Sequence, residues 1–212
     1  MLKLDHLTVI APNLAEGVAH VRECLDLDIP FGQRHFYMGT HNHLLQLGGM
    51  VYLEIISVDP QANPPSRPRW FGLDDLRKVR REWDAGQRLR GWVARTDGMA
   101  VAIQGREATF GRAVALPFEA PSFDFAIPDD GSLPLDGALP SLIDRRGKPR
   151  SMASMPDLGA RLQSFSLEHP DVDDILAHLR DPGVDHPPSV TLGTALTYRA
   201  RIRTPAGIKT LW

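Results

Sequence analysis

Apolar residues in the first sixty positions recur with two different spacings. Residues 4–10 and 51–56 are short runs rich in Val, Ile and Leu, which is typical of buried β-strands. Between them, apolar residues recur every three or four positions, as on one face of an amphipathic helix: Leu14, Val18, Val21 and Leu25. Two more strands, over residues 34–37 and 42–47, complete the order β-α-β-β-β, with a hairpin turn at the glycines that follow.

The predicted helix carries recognisable signals at both ends. Asn13 is a good N-cap, and Glu16 three positions later can reach back as in a capping box. Pro30 and Gly32 follow and are incompatible with a continuing helix. The sequence therefore predicts a helix that begins just after Asn13 and ends before Pro30.

The same order of elements returns near the C-terminus. Residues 162–167 form a predicted strand, a helix follows, and residues 197–204 and 208–212 are again strand-like. The helix-entry signals at residues 11–14 and 169–172 align with each other, which indicates a diverged internal repeat.

The middle of the chain fits a third unit with a shorter helical part. Residues 91–96 are strand-like, and residues 99–104 form a short predicted helix. Three candidate strands follow, at residues 110–116, 122–127 and 139–144. The middle segment therefore also fits the order β-α-β-β-β.

These patterns predict one domain built of three units, with a connector between the first two. The units cover about residues 1–58, 90–146 and 160–212, and the connector covers residues 59–89. Four prolines make the first half of the connector irregular, and its second half reads as a charged helix.

Composition excludes several functions. The 212 residues are 42% hydrophobic and 24% charged, with a net charge of −2, so the sequence gives no electrostatic reason to bind nucleic acid or an anionic membrane. No apolar run approaches the roughly 20 residues of a membrane span. The single cysteine, Cys24, excludes an intrachain disulfide. The N-terminus enters a strand directly, without a signal peptide, and we therefore expect a cytoplasmic protein.

One charged residue stands out within the apolar strands. Glu54 lies in the middle of the strand over residues 51–56, where an ionised carboxylate without a partner is costly to desolvate. His6, on the first strand, is the nearest plausible partner, and a cation bound between the two side chains would satisfy both. A direct hydrogen bond between His6 and Glu54 would satisfy them without an ion.

The hairpin over residues 39–45 adds candidates whose direction follows from strand parity. His41 and His43 face one side of the strand, and Asn42 faces the other. The apolar Leu45 shares the parity of the histidines and suits a side covered by a helix, so Asn42 is the better candidate for a cavity. Its alternative role is to cap the hairpin turn.

Several segments resemble one known family. His6 in a first strand, residues 39–42 opening a hairpin and residues 52–54 closing the unit resemble the glyoxalase-like branch of the vicinal oxygen chelate superfamily. Three later segments resemble the same branch: residues 67–73, 92–97 and 140–144. The resemblance implies an α+β fold in which repeated βαβββ units form cup-shaped mixed sheets with helices packed outside.

The resemblance also implies a metal site. In this superfamily a divalent ion commonly lies in the cup, held by a His on the first strand and a Glu on the last strand of each unit. His6 and Glu54 match one such pair, Asp144 matches the second carboxylate, and Trp92 stands in place of the second His. The implied cofactor is Zn, Ni, Mn or Fe, bound by His6, Glu54 and Asp144. After the second carboxylate the family has an aromatic residue, and this chain has Arg145.

Two functions follow from the resemblance. The first is a metal-dependent lyase or isomerase that acts on a small oxygen-rich molecule, with Glu54 or His41 as the general base. The second is a protein that binds a small molecule without turnover, as drug-binding members of the superfamily do. An aromatic Trp92 in place of a metal ligand favours the second function.

The predicted ligand contacts come from four side chains. We expect Trp92, Asn42, Tyr52 and Arg69 to line the binding site. One role for Arg69 is to hold an anionic group of the ligand, and the other is packing within the connector. The sequence leaves the pairing of the units open: the first with the middle, the first with the last, or across a homodimer.

Overall fold

The first unit has the element order that the sequence predicts. The computed structural model describes residues 1–148, 155–180 and 183–212. The elements of the first unit are β1 (Leu2–Ile10), α1 (Leu14–Leu25), β2 (Phe31–His35), β3 (Thr40–Gln46) and β4 (Tyr52–Val58). The side chain of Asn13 accepts a hydrogen bond from the Glu16 backbone N–H at 2.9 Å, so the predicted N-cap of α1 is confirmed.

The connector leads into a second unit with the same order. It contains a short 3-10 helix (Trp70–Gly72) and α2 (Leu76–Asp84). The second unit consists of β5 (Leu89–Thr96), α3 (Met99–Ile103), α4 (Glu107–Phe110), β6 (Arg112–Leu116), β7 (Phe123–Ile127) and β8 (Ser141–Asp144). Two short helices thus replace the single long helix of the first unit.

The first and second units form one curled sheet. Its strand order is β2-β3-β4-β1-β5-β8-β7-β6, so β1 and β5 lie side by side at the centre. These two strands are antiparallel, whereas β1 with β4 and β5 with β8 are parallel pairs. From the centre outward, each unit therefore places its first, fourth, third and second strands in the same order. Among the predicted pairings, the structure has the first unit with the middle unit within one chain.

The C-terminal segment forms a second sheet with a different strand order. Its elements are β9 (Arg161–His169), α5 (Val172–Arg180), β10 (Val184–Asp185), β11 (Ser189–Leu192), β12 (Thr197–Thr204) and β13 (Gly207–Leu211). The order is β11-β9-β12-β13, while β10 pairs with β1 of the large sheet. The first strand of this segment is thus central rather than paired with the last one, although the sequence repeats the helix-entry signal.

Two apolar layers pack against the large sheet. On the convex side, α1 covers the first unit and the second sheet covers the region of β5. The contact with α1 is close, because a Cβ atom added at Gly17 would lie 2.5 Å from a side-chain carbon of Ile55. On the concave side a smaller apolar cluster fills the part of the cup formed by the second unit, and it includes Trp70, Phe71, Val93, Phe125 and Ile143.

Among the residues that the structure describes, no helix is long and apolar enough to cross a membrane.

Candidate functional site

Three polar side chains meet on the concave face of the first unit. The Nε2 atom of His6 on β1 lies 3.4 Å from Oε2 of Glu54 on β4. The Asn42 side chain on β3 donates a hydrogen bond to Oε1 of Glu54 at 2.6 Å. All three residues are buried, and all three line one small cavity. Because side chains alternate along strands, this meeting requires the parity that the sequence assigns to Asn42.

Asp5 joins this group because of an irregularity in β1. The pairing of β1 with β5 shifts between Leu4 and His6, so Asp5 is the extra residue of a β-bulge. A bulge lets two successive side chains turn to the same side, and Nδ1–H of His6 donates to Oδ1 of Asp5 at 2.7 Å. Asp5 therefore fixes the hydrogen on Nδ1 and leaves Nε2 facing Glu54.

The carboxylate of Asp5 has a second partner from the other unit. Arg145, which directly follows β8, donates from Nε to Oδ2 at 3.0 Å and from Nη2 to Oδ1 at 2.6 Å. Burial by itself would raise the pKa of Asp5, but the hydrogen bonds and charges of His6 and Arg145 outweigh it and lower that pKa. Asp5 is consequently ionised at neutral pH.

Glu54 is also held in its ionised form. Complete burial would raise the pKa of Glu54, but the hydrogen bond and charge of His6, together with the amide of Asn42, lower it to about 2. The Nε2 atom of His6 and Oε2 of Glu54 would repel each other as two bare acceptors. A proton or a cation between them removes that repulsion.

His35 is a site residue that the sequence analysis missed. The side-chain amide of Gln33 donates to Nε2 of His35 at 3.0 Å, and Nδ1–H of His35 donates to Oγ1 of Thr40 at 3.0 Å. Burial lowers the pKa of His35 to about 4, so the ring is neutral at pH 7. Its parity with Gln33 on β2 was the available signal, but β2 is short and carries no apolar alternation that would orient it.

Tyr52 lies beside His6, as predicted for a cavity residue. The two rings stack with centroids 4.4 Å apart and an angle of 29° between their planes. Tyr52 pairs with His6 across the parallel strands and lines the same cavity. The stacked ring restricts the orientation of the imidazole.

The cavity has a polar floor, an aromatic wall and an exit. Its volume is about 70 Å³, which equals the share of about two water molecules in the liquid. The second unit and the connector supply the apolar wall, which consists of Trp70, Phe71, Phe123, Phe125 and Ile143. The cavity adjoins an outer cleft of about 590 Å³, and Gln33, Tyr37, Phe123 and Arg145 line both.

The structure places Trp92 away from this cavity, so the prediction that it lines the cup opposite His6 is wrong. Trp92 pairs with Leu7 and shares its convex face, where it is buried against the second sheet and contacts Phe165 with ring centroids 6.0 Å apart. The residue that pairs with His6 is Val93. The sequence alignment of the middle strand was therefore off by one position, which reverses the direction of every side chain.

Asp144 is displaced from the site by the same kind of shift. On β8 it is Ile143 that lines the cavity, while the Asp144 carboxylate accepts hydrogen bonds from the backbone N–H groups of Met99 and Arg146 at 3.2 and 2.8 Å. Asp144 thus caps the start of α3. It does not join His6 and Glu54.

Two further predicted residues also lie outside the cavity. The His41 ring is on the opposite face of β3, with Nε2 2.9 Å from the Ser57 hydroxyl. Arg69 donates to the carbonyl of Gly39 at 3.3 Å and forms an ion pair with Asp74 at 2.5 Å. Arg69 therefore has the packing role in the connector, fastening it to the hairpin before β3.

The donor set of the cavity meets only part of the requirements of a divalent ion. The 3.4 Å between His6 Nε2 and Glu54 Oε2 equals the separation of two ligands about 2.1 Å from a tetrahedral ion. However, the described residues contain no group of three or more His, Cys, Asp or Glu side chains placed to hold a metal. The lone pair of His35 Nε2 already accepts from Gln33, and the second unit offers Val93 and Ile143. Because a catalytic metal ordinarily has three protein ligands, this set does not fit one.

Comparisons with known proteins agree with the fold. A family model described as a glyoxalase-like domain matches residues 4–182. The crystal structure of a hypothetical protein from Staphylococcus aureus superimposes with a TM-score of 0.61 at 11% identity, covering 96% of this chain and 91% of that one. No curated protein matches the sequence significantly.

Two solved epimerases have lower structural similarity. Methylmalonyl-CoA epimerase from Mycobacterium tuberculosis gives a TM-score of 0.41 at 14% identity over 71% of this chain and 91% of that one. A Streptomyces coelicolor methylmalonyl-CoA epimerase variant gives 0.39 at 15% identity over 70% and 99%. Structural similarity this low carries no information about function.

Proposed function

Because the chain belongs to the glyoxalase-like domain family of the vicinal oxygen chelate superfamily, we propose that it is an isomerase or lyase. Its reaction is the transfer of a proton on a small oxygen-rich molecule, next to a carbonyl group. Glu54 is the general base and His6 is the general acid. The proposal rests chiefly on one observation, the buried contact of 3.4 Å between His6 Nε2 and Glu54 Oε2 inside a cavity that opens to a cleft.

The contact between His6 and Glu54 is loose enough for a substrate to replace it. A strong hydrogen bond between charged groups is about 2.7–2.9 Å long, and this one is 3.4 Å. A carbonyl oxygen can take the hydrogen of His6 Nε2, which brings the neighbouring C–H bond toward Glu54. The base then has a carbon-bound proton within reach, and the acid has the oxygen on which negative charge develops.

The proposed reaction is balanced within these two side chains. Glu54 removes the proton from carbon while His6 Nε2–H gives its proton to the carbonyl oxygen, which produces an enol. In an isomerase, Glu54 returns its proton to the other carbon of the enol and His6 regains a proton from oxygen. In a lyase, the enol instead returns its O–H proton to His6 and re-forms the carbonyl, its electrons expel a leaving group from the adjacent carbon, and Glu54 gives its proton to that leaving group. Neither route consumes an oxidant or a reductant.

Substrate entry also makes Glu54 a stronger base. The pKa of Glu54 is about 2 in the free protein because the interaction with His6 overcomes burial. When a substrate separates the two groups, the lowering contribution of the His6 hydrogen bond is lost and burial raises that pKa. Glu54 is therefore a weak base until a substrate is bound, and its buried carboxylate stays ionised in the free protein.

The volumes indicate how the substrate is accommodated. The inner cavity of about 70 Å³ holds only a few non-hydrogen atoms, whereas the outer cleft of about 590 Å³ holds a whole small molecule. The reacting carbonyl therefore enters the cavity and the rest of the substrate lies in the cleft. Tyr37 and Phe123 line both spaces and contact the substrate where it passes between them.

The other two hypotheses each have one supporting observation. A divalent ion between His6 and Glu54 is supported by their 3.4 Å separation alone. Binding without turnover is supported by the aromatic wall, which favours planar ligands. The acid–base proposal accounts for more of the site, because it also gives a role to Asp5 and Asn42, which orient the acid and the base.

The experiment is a proton-exchange assay that does not require the substrate to be known in advance. A panel of hydroxyketones, diketones and 2-oxo acids is incubated with the protein in D₂O, and NMR detects deuterium that enters next to the carbonyl. We expect exchange with at least one compound class, reduced about 10²- to 10⁴-fold in Glu54→Gln and His6→Ala. His41→Gln separates the two bases predicted from the sequence, and we expect it to retain the wild-type rate.

Metal analysis of the same preparations completes the test. Exchange should persist in protein that is purified without chelator and then treated with EDTA. Near one equivalent of metal, lost in His6→Ala together with the activity, would replace the acid–base mechanism by the metal-dependent one. Tight binding of the panel compounds without any exchange would make the chain a binding protein.

A further inference from the structure

Arg145 belongs to the second unit but acts on the polar cluster of the first. It is the first residue after β8, and its guanidinium forms two hydrogen bonds with Asp5 on β1. Its side chain is about one-fifth exposed and lines both the inner cavity and the outer cleft.

A continuous series of contacts runs from Arg145 to the proposed base. Arg145 binds Asp5, Asp5 accepts from His6 Nδ1, and His6 Nε2 faces Glu54, which Asn42 holds from the other side. Oδ1 of Asp5 is the shared atom, because it accepts from both His6 and Arg145. The orientation of the Asp5 carboxylate therefore determines which ring nitrogen of His6 carries the fixed hydrogen.

The bidentate geometry is what fixes this carboxylate. A guanidinium that donates to both oxygens holds the carboxylate plane, whereas an ammonium attracts the charge without fixing the plane. If the fork is removed, the Asp5 carboxylate loses the two hydrogen bonds that set its plane, and the direction of Oδ1 toward Nδ1 is less strictly fixed. His6 would then lose the preference for one tautomer.

We propose that Arg145 is a positioning residue that keeps one hydrogen of His6 on Nδ1, so that the hydrogen the ring exchanges with the substrate is always the one on Nε2. The inference builds on the proposed role of His6 and adds a residue from the second unit to it. Arg145 does not touch the reacting atoms. It acts through Asp5. Because Arg145 also lines the cleft, a bound substrate can contact the same hydrogen-bond network.

The adjacent arginine provides a matched control. Arg146 also makes a two-fold contact with an aspartate, donating to Asp124 at 2.8 and 2.7 Å, but Asp124 lies outside the cavity lining. Arg145 and Arg146 thus share charge, chain position and type of contact. They differ in whether the aspartate holds His6.

The test reads the tautomer of His6 directly. Protein with ¹⁵N-labelled histidine is recorded by ring ¹H–¹⁵N correlation at a pH where the neutral imidazole is observed, for wild type, Arg145→Gln, Arg145→Lys and Arg146→Gln. We expect wild type and Arg146→Gln to show His6 with hydrogen on Nδ1. In Arg145→Gln and Arg145→Lys we expect that form to fall to about half of the neutral ring.

Exchange activity supplies a second reading. It should fall about 10- to 100-fold in Arg145→Gln and stay within about twofold of wild type in Arg146→Gln, as for residues that orient a reacting group. If Arg145→Gln does not fold, Arg145→Lys carries the test, because it keeps the charge without the fork. An unchanged Nδ1 tautomer in the folded Arg145 variant would overturn the inference, even if the exchange assay shows that His6 and Glu54 are active. If no compound exchanges but the tautomer changes as expected, the proposed function fails and the positioning role of Arg145 stands.

Discussion

The two halves of the cup share a strand arrangement and differ in chemistry. In the first unit the concave face carries His6, Glu54 and Asn42, whereas in the second unit it carries the apolar Val93, which pairs with His6, and Ile143, which lines the cavity. The backbone pairing is matched, with a parallel pair of strands on each side of the central β1–β5 pair. Pairing of the strands therefore does not require a metal or a second polar cluster, and one half is free to become an apolar wall.

The difference assigns separate tasks to the two halves. The polar half holds two ionised carboxylates around a histidine, and an apolar wall strengthens their electrostatic interactions by excluding water. From the second unit, Arg145 contributes an ion pair with Asp5 to this cluster. An asymmetric cup thus concentrates the chemistry on one side and uses the other side for shape and for holding Asp5.

The largest expected effect comes from making the second half like the first. In Val93→His with Ile143→Glu, the new histidine lies next to His6, because Val93 pairs with His6 across β1 and β5, and the new carboxylate enters the cavity that Ile143 lines. We expect affinity for Zn²⁺ or Ni²⁺ to rise on the order of a thousandfold, since two ligands become four. The measurement is isothermal titration calorimetry, with metal content after desalting as a second reading.

The control for this design is Val93→Ser with Ile143→Gln, which adds polarity at the same positions without good ligands. It should bind metal no better than wild type. The four-ligand variant should lose its gain when His6→Ala is added. Equal affinity in wild type and the four-ligand variant would mean that His6 and Glu54 already form a sufficient metal site.

A second comparison concerns the two tryptophans on opposite faces of the sheet. Trp92 lies in the convex core and Trp70 lines the cavity. Trp92→Ala should lower the free energy of unfolding by about 3–5 kcal/mol, because it leaves a large void between β5 and the second sheet. Urea unfolding measures this loss. At a temperature where both variants are folded, only Trp70→Ala should alter exchange activity, and an equal change in Trp92→Ala would contradict the face assignment.

Much of the fold is predictable from local pattern, and the limits are informative. The element order of the first two units, the Asn13 cap and the parity of Asn42 follow from spacing over a few residues. The positions of Trp92 and Asp144 required the register between strands far apart in sequence. A one-residue error there exchanges the two faces of a strand, and the bulge at Asp5 adds a shift that composition does not reveal.

The missed site residues have the same physical origin. Asp5 and His6 are adjacent, and in a regular strand their side chains would point to opposite faces. Arg145 reaches Asp5 across 140 positions of sequence, so no local pattern connects them. The order of strands in the C-terminal sheet is equally non-local, because the choice of neighbour for β9 depends on which surface remains to be covered.

The smallest predicted effect is a pH dependence of the free energy of unfolding. It is due to His35, a buried histidine that belongs to the polar half of the cup. Burial lowers the pKa of His35 in the folded protein to about 4, below the ordinary value of 6.5. The unfolded chain therefore binds this proton first as the pH falls. The contribution of neutral His35 to stability is fully present above pH 6.5 and is lost as the pH falls toward 4, by about 2–3 kcal/mol in total.

The reference measurement is the free energy of urea unfolding at pH 7 and at pH 4.5. His35→Gln should remove this part of the pH dependence even if it lowers stability at both values, since its amide does not titrate. His186→Gln is the control, because the His186 side chain is 96% exposed. An unchanged difference between pH 7 and pH 4.5 in His35→Gln would show that His35 is not the source of the acid sensitivity in this range. Asp5 and Glu54 are distinguished from His35 by pH, because their lowered pKa values place their loss of stability at more acidic pH.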